Sequence, residues 1–205
     1  MSVTNVVLVD SGGSNLASVQ AAFARLGVLA PVTSNWTEIQ EASHVVLPGV
    51  GAAGPAMAKL RGYDLVERLA TLTQPVLGVC VGVQLLFDIS AEGEIPCLGL
   101  LSGRVEKLDA APGLRIPHMG WNRIDVLDSA HPHSAHPLCA GLQGSYAYFV
   151  HSFAAGLSAQ TLASSTHGQP FSAIVARANF MGAQFHPERS QSAGARLLKN
   201  FLEIR

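Results

Sequence analysis

The chain has 205 residues, 48% of them apolar, and 13 basic against 14 acidic residues give a formal charge of −1. This is enough apolar material for one substantial core and excludes a disordered chain. No block of like charge exists, which excludes the electrostatic footprint of nucleic-acid binding and points to small molecules or another protein as partners.

In chain order, the first half alternates short β-rich runs with amphipathic stretches. "NVVLVD" reads as a strand, Ala17 to Leu26 as a helix, "APVTS" and "HVVLPG" as strands, Ala56 to Leu72 as a helix and "PVLGV" as a strand before "QLLF". Such alternation predicts a parallel sheet covered on both faces, and unbroken apolar runs such as "NVVLV" suit strands buried on both sides. From about Leu100 the helices thin out. "GRVEKL", "WNRIDVL", "SYAYFVHSFAA" and "FSAIVARA" read as strands, "FMGAQFHP" as a strand ended by Pro187, and Ala193 to Ile204 as a closing helix with Leu197, Leu198, Phe201 and Leu202 at helical spacing. The fold class is α/β: a mainly parallel central sheet flanked by helices, with antiparallel strands added in the C-terminal half, in one domain over 1–205.

The uncharged stretch from Leu69 to Phe87 has the length of a membrane span, but Pro75, Gly78, Gly82 and Gln84 divide it into pieces too short to cross, so no membrane partner is expected. Three widely spaced cysteines, Cys80, Cys97 and Cys139, fit neither a disulfide framework nor a C-x-x-C zinc site. The N-terminal run lacks a basic n-region and a full-length h-region. A cytoplasmic protein is expected.

Cys80 lies where "PVLGV", a strand ending at Val79, meets a helix beginning "VGVQLLF". The first helix N–H groups point outward there and favour an anion, so the position suits a thiolate. Gly78 and Gly82 flank it as G-x-C-x-G, the thiol version of the strand-turn-helix nucleophile elbow. The plain alternative is a small buried core residue between packing glycines. What favours the nucleophile is "GAQFHPERS": a thiol nucleophile needs a base and the base an orienting acceptor, and His186 and Glu188 supply both, with the i, i+2 relation placing them on one side of an extended backbone. The turn Pro48-Gly49-Val50-Gly51 after "HVVLPG" offers backbone N–H groups for an oxyanion, and with no Gly-Lys-Ser/Thr following it is not a phosphate loop.

The blocks "LPGVG", "GVCVGVQLLF" and "QFHPE" resemble the signatures of class I glutamine amidotransferases, with Cys80, His186 and Glu188 matching the catalytic triad. Within that family, "PHMGWN", "YAYFVHSF", "SGGSN" and "LLKNF" resemble the branch that serves imidazole glycerol phosphate synthase in histidine biosynthesis. The resemblance runs from about residue 5 to 203. It implies glutamine hydrolysis through a thioester on Cys80, with Gln84, Glu92 and the backbone near His151, Ser152 and Phe153 holding the substrate. Gly51 and Val81 are the implied oxyanion donors. No cofactor is implied.

The resemblance further implies a heterodimer with a (β/α)8-barrel cyclase that receives the ammonia and converts the ribonucleotide PRFAR to imidazole glycerol phosphate and AICAR. Asn15, His118, Met119, Trp121, Asn122, Tyr148 and Arg189 are the implied partner surface, although Trp121 also reads as a core aromatic. Val81, Ala53, Ala91 and Arg189 depart from the usual family residues at their positions. Two other readings stand beside this one: a glutaminase for a different acceptor, such as pyridoxal phosphate synthase, and a non-catalytic regulatory subunit of the same fold. His131, His133 and His136 in "HPHSAHP" lack a carboxylate or cysteine at ligand spacing, so no metal site is expected.

Overall fold

The computed structural model describes residues 4–109, 113–127 and 136–205. The first half contains β1 (Val6–Val9), α1 (Leu16–Ala24), β2 (Val32–Thr33), α2 (Trp36–Glu41), β3 (His44–Gly49), α3 (Ala53–Gly62), α4 (Val66–Leu69), β4 (Val76–Cys80) and α5 (Val81–Leu85). After the short strands β5 (Ile89–Ser90) and β6 (Ile95–Pro96) come β7 (Arg104–Lys107), β8 (His118–Arg123) and β9 (Asp125–Val126). The rest is β10 (Tyr146–His151), β11 (Phe153–Ala155), β12 (Thr161–His167), β13 (Gln169–Arg177), β14 (Phe180–Ala183) and the closing α6 (Gln191–Glu203).

The main sheet has the order β2-β1-β3-β4-β14-β13-β12-β9. It is parallel from β2 through β14 and antiparallel from β14 to β9. Strands β1, β3, β4 and β14 are buried along their whole length, as runs covered on both faces require. Two smaller sheets, β10-β8 and β11-β7-β5-β6, complete the C-terminal half.

The structure corrects several sequence expectations. The stretch from Ala56 to Leu72 is two helices, because the chain leaves the helix at Gly62 and passes through Asp64 at φ 56. Helix α2 was not expected, yet Asn35 caps it by accepting from the Thr37 N–H at 2.9 Å, with Glu38 in the first turn. Strand β12 was also unexpected, because its "TLASSTH" is small and polar rather than alternating. "SYAYFVHSFAA" breaks at Ser152 into β10 and β11, which pair with different strands. Leu69 to Phe87 divides as expected, and among the described residues no helix is long and apolar enough to cross a membrane.

The parallel strands end together. Gly49 at the end of β3 pairs with Cys80 at the end of β4, and Ala183 at the end of β14 lies beside Val79. The crevice beyond the carboxyl ends of such strands is where open α/β sheets place ligands. Cys80 itself has φ 53 and ψ −111, a rarely populated conformation for a residue with a side chain. The turn closes only because its neighbours lack side chains: a Cβ on Gly82 would lie 1.7 Å from the Leu47 carbonyl oxygen, and one on Gly78 would lie 2.7 Å from the Gly82 oxygen. Gly182, on β14, would strike Val83 at 2.1 Å. We expect Gly82→Ala to destabilise the chain by about 3 kcal/mol or more, since β3 backbone rather than a mobile side chain must yield; chemical denaturation measures it, and a loss below about 1 kcal/mol would contradict the packing.

Candidate active site

Cys80 and His186 line one cavity of about 250 Å³ together with Val50, Gly51, Val81, Gln84, Glu92, Pro117, Val150, His151, Ser152 and Phe153. This is below the range of drug-sized sites, roughly 300–1,000 Å³, and suits a small metabolite. The expected thiol, base, oxyanion donors and substrate contacts therefore meet in one place. Helix α5 is only five residues long, so the anion-favouring effect of its N-terminus is confined to the N–H groups of one turn.

His186 stands between two groups. Cys80 faces it across the cavity they both line, its thiol lying 3.8 Å from Val150 O, and Nδ1 lies 2.9 Å from Glu188 Oε1. The extended i, i+2 geometry expected from sequence is not how this pair forms. Pro187–Arg189 is a 3-10 turn, which curls the Glu188 carboxylate back onto the ring. The turn is held from three directions. His186 N–H donates to Tyr148 O at 2.9 Å, Ser190 Oγ donates to His186 O at 2.7 Å, and Gly194 of α6 packs so closely that a Cβ would lie 1.9 Å from Pro187 O.

Burial alone would lower the His186 pKa, but the hydrogen bonds and charges of Cys80 and Glu188 outweigh it and raise the ring to about 10. Glu188 is held below the usual carboxylate range: burial pushes it up, and the bonds from His186 and Asn15 more than reverse this. Asn15 Nδ2 donates to Glu188 Oε1 at 3.1 Å, so this residue, expected at the partner surface, touches the far end of the Cys80–His186–Glu188 series. Burial pushes the thiol of Cys97 up to about 11 and that of Cys139 up to about 12. They stay protonated at neutral pH.

Gln84 is buried, and its amide donates to Phe153 O at 2.8 Å and to Gln184 Oε1 at 3.0 Å. Both N–H groups are spent, so its remaining capacity toward a substrate is the acceptor oxygen. Glu92 Oε2 accepts from Ala53 N–H at 3.1 Å, which ties the cavity wall to the start of α3. Gly51 has φ +94 in the turn after β3, and Gly13 lets the loop after β1 lie against Val50, a Cβ there falling 3.0 Å from its side chain. Gln184 was missed by sequence reasoning. It is 2% exposed and places Nε2 3.9 Å from Cys80 Sγ. The available signal was a polar residue in the otherwise apolar strand run "MGAQF".

The residues expected at a partner surface divide by strand alternation. Met119 and Trp121 point outward, 64% and 48% exposed, so Trp121 is not a core aromatic. His118 is buried and Asn122 half-buried, both turned inward and hydrogen-bonded to each other at 3.2 Å, so the exposed side chains of β8 among the expected partner residues are Met119 and Trp121. Tyr148 meets Trp121 edge-on at 6.0 Å and carries the Arg189 guanidinium over its ring at 5.0 Å. Burial lowers the His118 pKa to about 4, helped by the charge of His167, and lowers His151 to about 3. His131 and His133 lie outside the described residues, and His136 caps a 3-10 turn by accepting from Leu138 N–H at 3.2 Å.

The family model for class I glutamine amidotransferases matches residues 7–204. Imidazole glycerol phosphate synthase subunit HisH of Xylella fastidiosa (strain Temecula1) is 49% identical over 203 residues, covering 98% of each chain. The protein of the same name from Xanthomonas axonopodis pv. citri is 50% identical over 204 residues, again covering 98% of each. A crystal structure of a glutamine amidotransferase superposes with a TM-score of 0.73 at 21% identity, covering 97% of each chain, and so shares the fold.

The histidine shifts set a pH dependence. His118 and His151 have depressed values, so between about 6.5 and about 3 the unfolded chain binds more protons and acid destabilises the fold. His186 has a raised value, so its stabilisation is complete below about 6.5 and is lost as pH climbs towards about 10. Urea denaturation across pH should show greatest stability near neutrality with loss on both sides, and the acid limb should shrink in His118→Phe. A stability flat between about pH 4 and 7 would contradict the assignment.

Proposed function

Because the chain belongs to the class I glutamine amidotransferase family, we infer that it is the glutaminase subunit of an imidazole glycerol phosphate synthase, an enzyme of histidine biosynthesis. The observation that carries this reading is that Cys80 and His186 line one small cavity, with Glu188 hydrogen-bonded to the His186 ring from behind at 2.9 Å. The full-length relatives, named as subunits of that synthase, favour it over a glutaminase for pyridoxal phosphate synthase. A non-catalytic regulatory subunit would have no need of this arrangement. The whole chain, 1–205, acts as one amidotransferase domain.

In this reading Cys80 Sγ attacks the side-chain amide carbon of glutamine, its proton residing on His186. The oxyanion is met by the backbone N–H groups of Gly51 and Val81, each such donor lowering the barrier by about 3 kcal/mol. His186, kept charged by Cys80 and Glu188, gives its proton to the departing nitrogen as ammonia leaves. Water then cleaves the γ-glutamyl thioester, with His186 as base, and releases glutamate. Gln84 Oε1 and Glu92 offer acceptors to the substrate, and the β10–β11 break at His151, Ser152 and Phe153 offers backbone groups for its amino-acid end.

Ammonia released into water becomes ammonium, which is not a nucleophile, so it passes directly to the partner. His186 also lines a second cavity of about 570 Å³ with Asn15, Val50, Val150, Glu188 and Arg189, which shares none of Gln84, Glu92, Ser152 and Phe153 with the first. This second cavity leads to a (β/α)8-barrel cyclase in a heterodimer, which turns PRFAR into imidazole glycerol phosphate and AICAR. Met119 and Trp121 supply the apolar contact, with Tyr148 and Arg189 beside them. The complex works in the cytoplasm, which free, widely spaced cysteines suit.

Glutamate release is to be measured with the cyclase and its ribonucleotide present. Cys80→Ala should lower it by about a thousandfold or more while leaving the subunits associated, and near-normal release would end the nucleophile assignment. Trp121→Ala should weaken association about tenfold or more, as loss of an exposed aromatic anchor does, and unchanged affinity by titration calorimetry would move the interface elsewhere.

A further inference from the structure

We infer that His118, His151 and Gln184 are positioning residues of this site, in two hydrogen-bond arms of fixed direction that meet at the Phe153 carbonyl, one from strand β8 through the two histidines and one through Gln84 and Gln184 to the sulfur of Cys80. The inference rests on the glutaminase reading for its consequence but not for its geometry.

The direction follows from groups that can only accept. Phe153 O is a carbonyl, so the Gln84 atom 2.8 Å away is the amide nitrogen, whose second N–H goes to Gln184 Oε1 at 3.0 Å. That orientation turns Gln184 Nε2 towards Cys80 Sγ at 3.9 Å, a long contact suited to sulfur. Phe153 O also faces His151 Nδ1 at 2.9 Å, so this ring carries its proton on Nδ1 and presents a bare Nε2. His118 Nδ1, 3.0 Å from that Nε2, must then carry a proton, leaving its own Nε2 as an acceptor.

The other end gives the same answer independently. Asn122 Nδ2 donates to Thr166 O at 2.8 Å and Asn122 Oδ1 accepts from Arg123 N–H at 2.8 Å, which orients the amide without reference to either histidine. Its second N–H therefore points at His118 Nε2, 3.2 Å away, which must accept. Between the rings one donor, His118 Nδ1, faces one acceptor, His151 Nε2. Had the two ends disagreed, two N–H groups or two lone pairs would face each other inside the protein, each costing a buried unsatisfied group.

Only neutral rings satisfy the histidine arm. A second proton on His151 would face the N–H of His118, and one on His118 would face the amide of Asn122. The surroundings agree: His167 stacks on His118 at 4.1 Å, Phe149 and Phe171 cover both rings, and the charge of His186 opposes another on His151. His167 is itself tied to Arg115 O at 2.8 Å. The two arms meet at Phe153 O, which accepts from both His151 Nδ1 and Gln84 Nε2: the histidine arm fixes where that carbonyl sits, and the glutamine arm hung from it holds a Gln184 N–H on the sulfur and leaves the Gln84 oxygen for the substrate.

Nitrogen-15 NMR of the full chain with labelled histidine tests the geometry directly. His118 and His151 should both be neutral with the proton on Nδ1 across about pH 5.5 to 8, and an Nε2–H form or a titration near 6.5 in either overturns the histidine arm. Kinetics of the complex test its consequence. His118→Phe keeps a ring in the stack but loses the donor, so kcat for glutamate release should fall about fivefold to tenfold with KM changed less than about twofold. His118→Asn, with an amide N–H near the place of Nδ1, should recover most of that loss. Alkylation of Cys80 by iodoacetamide in the full chain should slow in His118→Phe and recover in the same order. Equal loss in both variants, or unchanged or faster alkylation, would reduce the arms to packing. If the wild-type complex released no glutamate, the glutaminase reading would fail, while the NMR and alkylation results would still decide the arms.

Discussion

The conformation of Cys80, with φ 53 and ψ −111 between β4 and α5, is the constraint from which the site follows. It turns the chain from strand to helix within one residue and leaves the thiol at the carboxyl edge of the sheet. Such a turn brings β3, β4, β14 and the first turn of α5 within backbone contact. Gly49, Gly78, Gly82 and Gly182 stand at those contacts, where any side chain would overlap backbone or Val83. The strain at one residue is thereby carried by the packing of four elements, in keeping with the way unusual backbone persists only where its surroundings over-determine it.

Around that thiol the protein keeps three buried histidines in two charge states. His186, between Cys80 and Glu188, is raised to about 10, whereas His151 and His118 are lowered to about 3 and about 4. All three lose hydration, and what separates them is the partner each ring finds: a carboxylate and the nearby thiol for His186, a carbonyl and an imidazole for His151, an imidazole and the Asn122 amide for His118. A neutral pair beside a charged ring avoids like-charge repulsion across a small cavity. It also leaves the proton-carrying role to a single residue, with the remaining rings acting as directional connectors.

The alternation of β8 ties this interior to the surface. Met119 and Trp121 face outward while His118 and Asn122, one residue out of phase, face in. The period of two that separates His118 and Asn122 from Met119 and Trp121 was legible in the sequence. Likewise "NWTE" carried the capping signal of α2, and Gln184 was visible as a polar residue in an apolar run. Other features were not legible. "TLASSTH" has no alternation to mark it as a strand, and what makes it one is backbone pairing with β13 on one edge and β9 on the other. The break at Ser152 follows from β10 and β11 pairing with different sheets, and no local pattern records a choice of distant partner.

By itself the sequence determined the α/β class, the elbow at Cys80, the parallel strands that deliver it and the residues of the thiol, base and carboxylate series, because each is a local matter of periodicity, glycine placement and short motif. Only the tertiary structure decided how those residues meet. His186 and Glu188 pair through a 3-10 turn buttressed by α6, Asn15 reaches Glu188 from 173 positions away, and Gln84 and Gln184 join across 100. Hydrogen-bond direction and histidine charge depend on which acceptor folding places opposite each donor. That is a property of contacts between elements, and a linear order of residues does not contain it.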